Sequence, residues 1–292
     1  MPRRVSLIVN PSAGHGRAAR LLPLAEAALR RLEVEFHVES TTSLDHAREL
    51  ARAAIAADEP AVALSGDGLI GAIAGILEDT AGVLGVLPGG RGNDFARVLG
   101  IPLEIEAACA VVASGATRRV DVGDAGGRPF IGIASVGFDS EANRIANQTR
   151  LVRGDLVYAY GALRALVTWK PARFTLDLDG GRRLIFSGYS VAAANSRAYG
   201  GGMFIAPQAE LDDGMLDVVC SGQSPKRRAL YNLPKVFQGR HVDLPYVHIM
   251  RSREVTISCD RPFTMYADGD PIGDLPLTVR ARPRALRVIV PA

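Results

Sequence analysis

The sequence predicts an α/β protein in two parts, a first third built on a parallel sheet and a remainder that is mainly antiparallel β. Two observations carry this. Residues 5 to 87 alternate short apolar runs with helical patterns, the signature of strand-helix-strand units with a sheet covered on both faces. Beyond about residue 120 the runs are short, β-branched or apolar, and separated by Gly, Asp and Pro, which reads as hairpin-connected strands. A chain of 292 residues is long enough for two compact cores.

Taken in order, Val5 to Val9 is a buried strand, Arg17 to Leu32 an Ala/Leu/Arg helix, Val34 to Val38 a strand, and Ser43 to Ala57 a helix capped by Ser43. Ala61 to Leu64 is a strand, Leu69 to Leu77 a helix and Val83 to Leu87 a strand. The second part places strands at Phe130 to Ala134, Phe174 to Leu178, Arg183 to Ala193, Leu216 to Cys220, Glu254 to Ser258 and Leu286 to Val290. Two helical segments interrupt it, Leu156 to Thr168 and Lys226 to Phe237. No repeat or low-complexity linker separates the parts, so a packed junction is expected near residue 122.

The composition, 48% hydrophobic and 22% charged, is that of a soluble globular chain and excludes fibrous, disordered and disulfide-stapled classes. A net charge of +3 is too small to argue for nucleic acid. Cys109, Cys220 and Cys259 lie far apart without metal-ligand spacing, which fits a reducing, cytoplasmic setting. The apolar run after Arg3 and Arg4 is too short for a signal peptide. No run reaches the roughly 18 to 20 apolar residues of a membrane span, so any membrane contact is expected to be peripheral, at the inner face. The five histidines, His15, His37, His46, His241 and His248, have no ligand-like spacing and are expected in solvated or packing roles.

In a parallel sheet, ligands bind beyond the carboxyl ends of the strands, and three turns stand there. The first is Asn10-Pro11-Ser12-Ala13-Gly14-His15-Gly16, whose small residues admit a ligand close to the backbone ahead of a helix N-terminus. The second is Ser65-Gly66-Asp67-Gly68, a carboxylate between glycines that an ordinary turn would also explain. The third is Pro88-Gly89-Gly90-Arg91-Gly92-Asn93-Asp94-Phe95-Ala96-Arg97. Three glycines within four positions cost backbone entropy on folding, which favours ligand binding over a plain connection. Backbone N–H groups and Arg91 are candidates to hold phosphate, and Asp67 and Asp94 to approach a metal or a reacting hydroxyl.

The distribution of cations limits the chemistry. Lys170, Lys226 and Lys235 are the only lysines among the 34 basic residues. A Walker loop needs its Gly-Lys-Ser/Thr and a protein kinase its strand lysine; the first 169 residues have no lysine for either. A dinucleotide fingerprint fails as well, because no GxGxxG opens a helix with an acidic residue about 20 positions later.

Together, Asn10-Pro11-Ser12-Ala13-Gly14, Ser65-Gly66-Asp67-Gly68 and Pro88 to Arg97 resemble the diacylglycerol kinase catalytic domain family, which includes bacterial lipid kinases and sphingosine and ceramide kinases. The resemblance continues through Asp121 in Arg-Val-Asp-Val-Gly, Gly137-Phe138-Asp139, Ala206-Pro207 to Asp217, and Asp268-Gly269-Asp270. It implies an NAD-kinase-like α/β domain over residues 1–122 and a β-sandwich lipid-substrate domain over 123–292. ATP would lie in the cleft between them, with segment 280–292 packing back on the first domain.

The implied activity is transfer of the γ-phosphoryl group of ATP to a lipid hydroxyl. The nucleotide would lie against Asn10, Pro11, Ser12, Ala13, Gly14, Thr41, Gly66, Asp67, Gly68, Leu69, Gly90, Arg91, Gly92, Asn93 and Asp94. Asp67, Asp94 and Asp121 resemble the acidic network that handles catalytic Mg2+. Asp67, Asp268 and Asp270 are the implied catalytic residues, and either Asp268 or Asp270 is the implied general base. The Glu210 to Met215 stretch resembles a structural magnesium loop, with the Asp213 side chain and the Glu210 and Met215 carbonyls as the implied ligands. Phosphoryl transfer asks for charge neutralisation, in-line placement and a proton acceptor, and this inventory offers each.

Departures accompany the matches. Leu69 stands where the family's threonine is usual, Ala72 where a glutamate is usual, Arg91 where a threonine is usual, and Asp270 where a glutamate is usual. Arg91 is expected to compensate by contacting phosphate. A non-catalytic nucleotide- or lipid-binding protein and an NAD-kinase-like enzyme are the alternative readings. The partner is expected to be a lipid, not nucleic acid, with oligomeric state, homodimer included, left open. Tyr158, Tyr160, Leu163, Leu166 and Trp169 read as a packing face or a lipid groove. Lys226, Arg227, Arg228, Lys235 and Arg240, interleaved with Leu230, Leu233, Val236 and Phe237, read either as a solvated helix face or as a surface for anionic membrane.

Overall fold

A computed structural model describes residues 4–138, 140, 141, 145, 161, 164, 165 and 169–292. Most of the segment Leu156 to Thr168, with Tyr158, Tyr160, Leu163 and Leu166, lies outside the described residues, as does Asp139.

The first half runs β1 (Arg4–Val9), α1 (Ala13–Arg31), β2 (Glu35–Ser40), α2 (Leu44–Ala56), β3 (Ala61–Ser65), α3 (Asp67–Leu77), β4 (Val83–Pro88), α4 (Asp94–Val98) and α5 (Ile105–Ser114). β2, β1, β3 and β4 are hydrogen-bonded in that order, all parallel. Every residue of β3 is buried, as a strand covered on both faces requires. The helices divide into pairs, α1 packing with α5 and α2 with α3. α5 stops at Gly115, whose φ of 67° supplies the left-handed end that only glycine takes without cost.

The second half contains β5 (Thr117–Ala125), β6 (Arg128–Phe130), β7 (Ile133–Gly137), β8 (Ala172–Leu178), β9 (Arg182–Ala194), β10 (Leu216–Gly222), α6 (Lys226–Phe237), β11 (Val247–Ser252), β12 (Glu254–Cys259), β13 (Thr264–Ala267), β14 (Asp270–Asp274) and β15 (Leu277–Ile289). Its pairings are antiparallel, with β9 carrying β7, β8 and β10. A second core of Val136, Phe174, Leu176, Val191, Val218 and Val255 fills it. β15 joins the two halves: its start pairs with β12, its length with β5, and Arg287 and Val288 run parallel to Val83 and Leu84 of β4. The fold is thus an α/β half on a parallel sheet followed by a mainly antiparallel β half, as the sequence predicts.

The strand expected at Phe130 to Ala134 is broken. Ile131 and Gly132 separate β6 from β7, because the N–H groups of Ile131, Gly132 and Ile133 donate to the Asp268 carboxylate rather than to a neighbouring strand. Among the described residues no helix is long and apolar enough to cross a membrane.

Candidate active site

One cleft of about 1120 Å³ receives the ends of β1, β3 and β4 at one side and runs between β9, β10 and α6 at the other. The three glycine turns meet at its polar end. A Cβ on Gly90 would lie 2.4 Å from the Gly66 Cα, and one on Gly14 would lie 2.7 Å from the Gly89 carbonyl oxygen. Backbones this close exclude any side chain, so the glycines are demanded by the convergence itself. Gly14 also has φ of 58°. Asn93 staples the third turn: its side-chain oxygen accepts from Gly90 N–H at 2.8 Å, and its amide nitrogen donates to the Gly90 carbonyl at 3.1 Å. Arg17 reaches the same carbonyl at 3.2 Å.

Two carboxylates face this end. Asp67 accepts from Phe95 N–H at 3.0 Å, fixing α4 against the first turn of α3. Asp94 accepts from Gly201 N–H at 2.8 Å through one oxygen, while its other oxygen is buried without a partner among the described residues. Burial pushes the Asp94 carboxyl above its ordinary range, and the Asp67 charge adds to the shift against the Gly201 and Gly202 N–H groups. The Arg91 side chain lines the cleft and makes no hydrogen bond or ion pair to the described residues.

Asp268, Gly269 and Asp270 line the cleft across from Asp67. Asp268 accepts at 2.8 Å from Ile131, 2.9 Å from Gly132 and 3.3 Å from Ile133. Its carboxyl is pushed up to about 6, by burial first and with the Asp67 charge contributing against those three N–H donors. The exposed Asp270 carboxylate takes no hydrogen bond from the described residues. Beyond it the lining turns apolar: Phe138, Tyr189, Met203, Val219, Leu233 and Val236 form a chamber floored by β9 and β10 and roofed by α6.

Of the nucleotide residues expected from the sequence, Asn10, Ala13, Gly14, Gly66, Asp67, Gly68, Leu69, Gly90, Arg91, Gly92 and Asp94 line this cleft. Pro11, Ser12, Thr41 and Asn93 do not. Ser12 instead donates from N–H and hydroxyl to the Asn10 side chain, at 3.1 and 2.7 Å. Thr41 is buried, and its hydroxyl donates to the Ser43 carbonyl at 2.6 Å, closing the turn ahead of α2.

The metal expectations divide the same way. Among the described residues no three His, Cys, Asp or Glu side chains converge to hold an ion. Asp121 does not join Asp67 and Asp94: fully buried outside the cleft, it accepts from Arg284 N–H and Gly214 N–H, both at 2.7 Å. The Asp213 carboxylate accepts from Met215 N–H at 2.9 Å and pairs with Arg251, while Glu210 is exposed. Arg251 pairs with the Asp213 carboxylate, the one side-chain ligand implied for that loop, and the same carboxylate has an oxygen buried without a hydrogen-bond partner among the described residues. Asp94 fits an ion through its buried unpartnered oxygen beside Asp67.

Sequence reading passed over Gly201, whose N–H orients Asp94, and the Ile131-Gly132 junction that holds Asp268. The run Gly200-Gly201-Gly202, with φ of 65°, 84° and 102°, was the signal for the first. The second arises only when the distant β13 end meets β7.

On this two-part fold, then, a glycine-lined polar turn cluster opens into a largely apolar chamber. Residues 4–125 match the diacylglycerol kinase catalytic domain, and residues 132–290 match the YegS C-terminal NAD kinase beta sandwich-like domain. A diacylglycerol kinase of Mycobacterium tuberculosis is 35% identical over 296 residues, covering 99% of this chain and 95% of that relative. A Chromohalobacter salexigens protein named probable lipid kinase YegS-like is 30% identical over 272 residues, covering 88% and 85%. In three dimensions a diacylglycerol kinase from Bacillus anthracis aligns with a TM-score of 0.77 at 20% identity, covering 99% of this chain and 97% of that one. An NAD kinase from Archaeoglobus fulgidus in complex with ATP shares the fold alone, with a TM-score of 0.51 at 15% identity and coverage of 98% and 93%. The chain belongs to the diacylglycerol kinase and YegS-like lipid kinase family and is an enzyme of the lipid kinase class.

Proposed function

We propose that the protein transfers the γ-phosphoryl group of ATP to a hydroxyl of an acyl- or alkyl-chain lipid such as a diacylglycerol. The observation that carries this is the continuity of the cleft: glycine turns, Asp67 and Asp94 at one end, an apolar chamber at the other, and Asp268 at the seam. Backbone N–H groups of turns and helix starts hold anionic oxygens without lysine, which accounts for a phosphate site in a lysine-free half.

Mg2+ commonly rests on one or two carboxylates plus substrate phosphates, and Asp94 with Asp67 provides that pair. When bound, the ion supplies charge neutralisation on the phosphates. Asp67 and Asp94 would hold it, their carboxylates oriented by Phe95 N–H and Gly201 N–H. The apolar chamber takes the chains and leaves the hydroxyl at the seam. Asp268, with three donors on a carboxylate of about four acceptor sites, keeps capacity for one more proton partner and serves as the general base. A pKa of about 6 suits a base working near neutrality. Asp270, beside it on the rim, orients the acceptor.

Radiolabelled ATP transfer over a lipid panel tests the reading. Transfer to at least one chain-bearing alcohol is expected, with kcat/KM falling as pH drops through about 6, because protonation fills the base. Asp268→Asn is expected to lower turnover by about 10² or more and Asp270→Asn by less. Transfer to no lipid rejects the function; a pH profile unchanged in Asp268→Asn moves the base to Asp270.

A further inference from the structure

Of the seven exposed large hydrophobic side chains among the described residues, four lie on α6 or are tied to it, Phe204, Leu230, Tyr231 and Phe237, and two of these, Leu230 and Phe237, line the chamber. Phe204 is tied to α6 by its N–H on the Val236 carbonyl at 3.0 Å. α6 has two faces. Ala229, Leu233 and Val236 turn into the chamber, while Tyr231, at 79% exposure, stands on the outer side with Arg227 four residues before it and Lys235 four after. Leu230 and Phe237 belong to both, lining the chamber yet about half exposed. From Gln223 to Tyr246 there are five lysines and arginines and a single acid, Asp243.

We propose that α6 and Phe204 form a docking face for an anionic bilayer, seated so that the chamber mouth opens onto the lipid. The charge is complementary to anionic headgroups, and the aromatic and aliphatic tips suit the headgroup and acyl boundary. Continuity supports the same occupant: Leu230 and Phe237 belong both to the exposed lip and to the chamber lining, so a lipid passing from the membrane meets apolar side chains on its way in. The use of the chamber rests on the lipid kinase reading; the docking itself is tested without ATP.

The test is co-sedimentation of the full chain with vesicles of phosphatidylcholine alone and of phosphatidylcholine doped with phosphatidylglycerol. The unaltered protein is expected to sediment with the anionic vesicles and weakly with the neutral ones. The triple variant Arg227→Glu, Arg228→Glu and Tyr231→Ser, none of whose positions lines the chamber, is expected to lose more than about tenfold in anionic binding. Its melting temperature and its activity on a short-chain lipid below micelle concentration should match the unaltered protein. A variant that still sediments with anionic vesicles overturns the proposal. So does an unaltered protein that ignores both vesicle types, an outcome that assigns the patch to a protein partner. Absence of lipid phosphorylation alongside the expected sedimentation rejects the kinase reading and leaves the docking face standing.

Discussion

Arg91 is the cation best placed for the phosphates. It stands between Gly90 and Gly92, lines the polar end of the cleft, and makes no side-chain hydrogen bond or ion pair to the described residues. An unpaired guanidinium among convergent N–H groups raises the local positive potential, which an anion then neutralises at little cost in reorganisation. Charge-assisted bonds of this kind contribute about 1.5–3 kcal/mol, so Arg91→Ala is expected to raise the KM for ATP by about tenfold or more. Arg91→Lys should recover part of it, since the charge returns without the planar fork. Steady-state kinetics with varied ATP decides the matter; an unchanged KM and kcat in Arg91→Ala would falsify phosphate contact by this side chain. Asp94 shows the complementary logic: its burial without a partner on one oxygen is costly unless a cation arrives.

The glycine turns work as a unit, because three strand ends converge closely enough that each leaves no room for a neighbour's Cβ. Gly90→Ala places a methyl 2.4 Å from the Gly66 Cα, and a backbone atom cannot rotate away as a side chain can. The two turns must part, at about 1–3 kcal/mol, and the N–H groups lose their common focus. The expected result is loss of the thermal shift produced by ATP, with the melting temperature of the free protein lowered by only a few degrees; a full ATP-induced shift in Gly90→Ala would show that the turns move independently. These turns were legible in the sequence because glycine and turn chemistry are local, as was α6, whose apolar spacing matches its observed bounds at Lys226–Phe237. The β6 to β7 break was not, since it depends on Asp268, more than 130 residues away. The partners of Asp121, Gly214 and Arg284, were not legible for the same reason: a side chain's type shows what it is able to bind, whereas its partners are set by elements brought together only in the fold.

At the scale of the whole molecule, β15 makes one sheet of two halves, and Asp121 locks the place where it changes partners. The ladder between β5 and β15 slips between Arg282 and Leu286, and Arg284 there has φ of 53°, an uncommon conformation for a residue with a side chain. Asp121 accepts the Arg284 N–H exposed by that slip and, with its other oxygen, the Gly214 N–H from the loop before β10. Arg282 adds ion pairs to Glu78 and Asp79 at the end of α3. Removing the Asp121 carboxylate leaves two N–H donors without their acceptor, at about 1–3 kcal/mol each. Asp121→Ala is therefore expected to lower the melting temperature by about 5–10 °C, with no recovery on adding Mg2+. Asp121→Asn, which keeps one acceptor, should fall between. A catalytic metal role predicts the opposite pattern, in which Asp121→Ala melts like the unaltered protein and loses turnover in a way that depends on Mg2+ concentration. Calorimetry and Mg2+ titration of the same two variants separate these outcomes, and a stable, inactive Asp121→Ala would return this carboxylate to the active site.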